Sequence, residues 1–322
     1  MPDLPEPART PEPATGVSRR AVARATAAAG LAVLVGAAGG TARARAAARP
    51  GPRTLDVSVP SAALGRTAPV RLILPSDFAA RPEKKYPVLY LLHGAHDDYT
   101  SWTRETDIEA FTEGRDLIVA MPDAGPTGIP SVWRGGPDYE TFQVKEVPAL
   151  LAREYRASGV RAVAGVSTGG YGAMAHAARH PRAFAAAASY SGILDTTAPG
   201  VPAIMDAIVA RENLPAASLW GHPLLNALTW RDFNPRARAT GLRDTALYLS
   251  QGSGVGSGGD PLPGILESAL WPSAQGFARA LTLLGVPATT HLYAGGGHDW
   301  PYWKREFTAS WPMLAHALGV PE

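Results

Sequence analysis

Residues 159–180 read GVRAVAGVSTGGYGAMAHAARH. The apolar run 159–166 has the length of a buried parallel strand, and the Ala-rich segment 168–180 reads as a helix that Pro181 ends. Only Ser167 lies between them, at the centre of Gly165-Val166-Ser167-Thr168-Gly169. A chain that passes from strand to helix through one residue needs small flanks, and Gly165 and Gly169 supply them. In a chain with 34 glycines the five letters carry little weight alone. The strand before them and the helix after them are what constrain the fold.

The same alternation recurs along the chain. Apolar or alternating runs at 54–60, 68–75, 86–92, 116–122, 184–192, 245–251 and 288–295 read as strands, the first two as an antiparallel pair. Helical periodicity appears at 139–155, near 201–211, between 251 and 288, and at 302–318, with Pro148 expected to bend or cap the first of these. Strands alternating with helices predict an α/β fold with a mostly parallel central sheet and helices on both faces. No linker or repeat interrupts 54–319, which reads as a single catalytic domain.

The first 48 residues differ. A Pro-rich start leads to Ser18-Arg19-Arg20, an uncharged run from 25 to 42, and small-residue sites around Ala44 and Ala46. This order is that of a signal peptide, twin-arginine-like, with the Sec route open because Val22 and Ala23 replace the usual Phe and Leu. Cleavage would remove six Arg and three acids, leaving a charge near −1 against +2 for the whole chain. The expected product is secreted, with no stable membrane span after cleavage. No basic face with interleaved aromatics points to nucleic acid. With no cysteine, the chain has no disulfide and no thiol nucleophile. A Gly-x-Gly-x-x-Gly match at 254–259 lacks the acid expected about 20 residues later and is not read as a dinucleotide site. No cofactor is expected.

A serine hydroxyl reacts only with a base beside it, an acid to orient the base, and donors for the oxyanion. The N–H of Thr168 is one candidate donor. Strand 86–92 runs into His93-Gly94-Ala95, and the N–H of Ala95 is the second. A rival reading of His93 and His96 as metal ligands fails on spacing, which suits a helix face rather than a Gly-containing loop. Of the eight histidines, His298 alone follows the last strand in a loop, after three glycines. His176, His180 and His316 lie on helical segments and read as structural. The acid falls between Ser167 and His298 in chain order, and Asp260 and Glu267 both qualify.

Laid out in this way, the chain resembles the secreted α/β-hydrolase esterase family of the antigen 85 mycolyltransferases and esterase D-like enzymes. The resemblance runs through YPVLYLLHGAHDDYTSW, YETFQVKEVPALL, GVSTGGYGAMAHAARHP, DPLPGILESAL and GGGHDWPYW, in the family's order. It implies Ser167 as nucleophile, His298 as base, Glu267 as acid in preference to Asp260, and Ala95 and Thr168 as oxyanion donors. His93, His96 and Trp300 become expected substrate contacts. Mycolyltransferases carry Asp where His93 stands and an Arg shortly after Gly94, so the resemblance does not imply trehalose here. The expected function is that of a secreted serine carboxylesterase acting on a small-molecule or lipid ester. The alternative is an acyltransferase with a sugar or glycerolipid acceptor, and a third reading is a non-catalytic surface or matrix-binding protein.

Overall fold

The structure is a computed structural model that describes residues 53–255 and 261–322. The signal-peptide reading of residues 1–48 and the alternative acid Asp260 lie outside the described residues.

Eight strands form one sheet: β1 Thr54–Ser61, β2 Arg66–Ile73, β3 Tyr86–Leu92, β4 Ile118–Pro122, β5 Ala157–Val166, β6 Ala186–Tyr190, β7 Ala246–Gly252 and β8 Thr289–Tyr293. Their order is β1-β2-β4-β3-β5-β6-β7-β8. β1 and β2 pair antiparallel, as do β2 and β4, and every later pair is parallel. Five longer helices follow in chain order: α1 Val147–Glu154, α2 Thr168–Arg179, α3 Val201–Arg211, α4 Pro261–Leu283 and α5 Trp300–Leu318. This is an α/β-hydrolase fold.

Strand periodicity explains the layers. Val88, Tyr90 and Leu92 of β3 join one core with Leu150 and Leu151 of α1, Met174 of α2 and Phe277 of α4. Leu89 and Leu91 point the other way, into a second core with Trp303, Phe307, Trp311 and Leu314 of α5. A third cluster joins Trp220 and Trp230, from the irregular region between α3 and β7, to Tyr171 of α2 and Met205 of α3.

Two expectations change in detail. The helix expected over 139–155 is broken into a turn at Tyr139–Thr141, a π-turn at Phe142–Glu146, and α1. Pro148 has no N–H to close an α-helical bond, and the preceding turn widens so that the Val147 N–H reaches the Phe142 carbonyl. The strand expected over 184–192 ends at Tyr190 because Ser191 takes a positive φ of 51°.

Candidate active site

β5 ends at Val166 and α2 begins at Thr168, so Ser167 alone makes the turn, with φ 54° and ψ −120°. An L-residue is strained there, at a cost on the order of 1–3 kcal/mol. The neighbours hold it. Its N–H donates to Tyr190 O on β6 at 2.9 Å, and its carbonyl accepts from Tyr171 N at 3.0 Å. The flanking glycines have a steric cause: a Cβ on Gly165 would overlap the Gly169 carbonyl, and one on Gly169 would overlap the His93 and Leu92 carbonyls.

His298 sits between β8 and α5, after Gly295 and Gly296 at φ 74° and 85°. Its N–H donates to Pro263 O at 3.0 Å, which ties the loop to the start of α4. Its Nε2 lies 2.8 Å from Ser167 Oγ and its Nδ1 lies 2.9 Å from Glu267 Oε2. Glu267 is fully buried on α4. Its Oε1 accepts from Ser191 Oγ at 2.8 Å and from Gly252 N at 2.7 Å. A carboxylate only accepts, so Nδ1 of His298 donates to it and Nε2 is left to accept from the serine hydroxyl. The Trp303 ring meets the imidazole edge-on at 5.1 Å. This row can remove a proton from Ser167 and hold the imidazolium that results. Ser191 was not singled out from the sequence. Its only signal is the Ser-Gly pair that follows the sixth strand.

Thr168 is the first residue of α2, so its N–H has no partner within the helix. Gly94 lies against Ser167, where a Cβ would come within 3.4 Å of Ser167 Cβ. Ala95 follows it, half-buried. The next loop clamps this segment: Ala124 N donates to His93 Nε2 at 3.0 Å, and His96 N donates to Pro126 O at 2.7 Å.

The three expected substrate contacts are placed differently from one another. His93 is buried, with Nδ1 at 2.9 Å from Gly94 O and Nε2 filled by Ala124. Both nitrogens are spent on backbone. His96, at φ 60°, pairs through Nδ1 with Glu212 just past α3, and burial holds its pKa below the ordinary histidine value. Trp300 is half-buried and packs edge-on between Trp102 and Trp303, at 5.2 and 5.3 Å. Among the described residues no group of three or more His, Asp or Glu is placed to hold a metal.

A buried polar chain lies behind the Ala95 loop. Gln143, in the π-turn, donates from Nε2 to Asp123 O at 3.0 Å, and its Oε1 lies 3.0 Å from His176 Nε2 on α2. Burial pushes His176 down to about 4, so its ring is neutral. These links cross three segments distant in sequence, and nothing in the local pattern announces them.

A diacylglycerol acyltransferase/mycolyltransferase Ag85A of Mycobacterium gordonae is 33% identical over 326 residues, covering 95% of this chain and 93% of that protein. The crystal structure of Mycobacterium tuberculosis MPT51 (FbpC1) superposes with a TM-score of 0.70 at 23% identity, covering 84% of this chain and all of that one. A ferulic acid esterase does so at 0.60 and 26% identity, covering 82% of this chain and 98% of that one. The family model described as "Putative esterase" matches residues 61–314 and so takes in Ser167, Glu267 and His298 together, and this chain belongs to that family.

Proposed function

We propose that the protein is an exported serine carboxylesterase that works through an acyl-enzyme on Ser167. The observation that carries this reading is the row Ser167–His298–Glu267, joined at 2.8 and 2.9 Å on a strained strand-to-helix turn. Ser167 Oγ attacks the ester carbonyl while its proton passes to His298 Nε2. The N–H groups of Ala95 and Thr168 hold the oxyanion. Collapse of the tetrahedral intermediate breaks the ester bond, and His298 returns the proton to the departing alcohol. Water then repeats the sequence on the acyl-enzyme and releases the acid.

Esterase and acyltransferase chemistry differ only in the second nucleophile. The names of the Ag85A and Ag85B relatives favour a second reading, in which an alcohol on a sugar or glycerolipid takes the acyl group. The test is product partition: p-nitrophenyl butyrate is turned over with water alone, then with glucose, trehalose or glycerol added. The esterase reading expects butyrate as the main product throughout. A dominant butyryl ester of an added alcohol moves the assignment to transfer. Export rests on residues 1–48, and its test is whether the protein accumulates outside the cell with those residues removed.

A further inference from the structure

We infer that His93 is a positioning residue that aims the Ala95 N–H at the oxyanion, which it does as a neutral imidazole protonated on Nδ1. The inference rests on the reading of Ala95 as an oxyanion donor. The Ala124 N–H donates to His93 Nε2 at 3.0 Å, so Nε2 carries a lone pair and no proton. The ring proton of the neutral imidazole is then on Nδ1, which lies 2.9 Å from the Gly94 carbonyl oxygen and donates to it.

The Gly94 carbonyl and the Ala95 N–H belong to one planar trans peptide and point in opposite directions. Fixing the carbonyl fixes the N–H. Gly94 lies against Ser167, so the peptide whose orientation His93 fixes is the one beside the serine of the proposed mechanism. The other side of the peptide is braced as well. Gly128, at φ 58°, brings its backbone so close to the Gly94 carbonyl that any Cβ there would overlap it. Asp123, whose carbonyl precedes the Ala124 N–H, is held by Gln143 at 3.0 Å. Ala124 thus selects the tautomer, and the tautomer orients the Gly94–Ala95 peptide.

The experiment compares His93→Ala, His93→Asn and His93→Gln by kcat and KM for p-nitrophenyl butyrate. Rates are expressed per site titrated to completion with a fluorophosphonate, so unfolded protein is not counted. An Asn amide stands near the Nδ1 position and can donate to Gly94. A Gln amide stands near Nε2 and can only replace the contact to Ala124. His93→Ala is expected to lower kcat on the order of ten- to a hundredfold with KM little changed. His93→Asn recovers most of that loss and His93→Gln does not. A purely structural role predicts the reverse order, and that result, or an unchanged kcat in all three, overturns the inference. Nitrogen-15 NMR of the wild type gives a second readout that needs no variant: an Nδ1–H signal supports the proposal and an Nε2–H signal refutes it. If wild-type Ser167 is not labelled and does not turn over, the serine mechanism itself has failed. If the wild type works and the variants match it per site, only the role of His93 has.

Discussion

Ser167 adopts a backbone conformation that its side chain makes costly and that the proposed mechanism requires. At φ 54° a glycine is unstrained and an alanine is not. Ser167→Gly is therefore expected to unfold at a higher temperature than Ser167→Ala, with a difference of about 1 kcal/mol, while neither turns over substrate. Differential scanning calorimetry of the pair reads this directly. Ser191 holds Glu267. Removing its hydroxyl leaves Glu267 Oε1 with the Gly252 N–H alone. Ser191→Ala should lose on the order of ten- to a hundredfold in kcat at nearly constant KM, the range for a hydrogen bond to a buried charge. Ser167 and His298 were legible in the sequence because each sits in a local signal, a turn between small residues or a glycine loop after the last strand. Glu267 was not separable from Asp260 by pattern, because an acid is recognised by what reaches it in space. Ser191 and the role of His93 depend wholly on such reach.

Among the elements, the π-turn and α2 form a unit that sequence periodicity reads as two unrelated helices. Pro148 loosens the first, and Glu140 then ties it to the end of α2. Glu140 lies within hydrogen-bond distance of His180 and Arg179, at 2.7 and 3.0 Å. Burial alone would raise its carboxyl, but the hydrogen bonds from His180 and Arg179 and the Arg179 charge lower it from 4.5 to about 2. Its stabilisation is thus complete above about pH 4.5 and is lost as pH falls towards 2. His176, held at about 4 by burial, adds a loss over the window from 6.5 down to 4, because the unfolded chain takes up the proton first. Glu140→Gln should unfold more easily at neutral pH and flatten the limb below pH 4.5, as followed by denaturant midpoints across pH. Gly128 belongs to the same level. Gly128→Ala would force a Cβ into the Gly94 carbonyl at a positive φ, and is expected to cost several kcal/mol or nearly all activity. Urea unfolding and the turnover rate check the two outcomes.

Over the whole molecule, the sheet is what brings residues 167, 267 and 298 to one place. Parallel strands all present their C-terminal ends on one side, and the turns that follow β3, β5 and β8 carry Ala95, Ser167 and His298 there. That architecture was legible because the later strands, from β4 on, alternate with helices. The region between α3 and β7 was not, since its buried Leu219, Trp220, Trp230 and Phe233 follow no repeating period. The central claim is that Ser167 carries the acyl group. Its most direct test is rapid quench of the protein with p-nitrophenyl butyrate, followed by peptide mass mapping. A butyryl group on Ser167 during the nitrophenol burst, with adduct and burst both absent from Ser167→Ala, is the predicted result. Equal turnover in the two proteins, or an adduct elsewhere, would contradict the account.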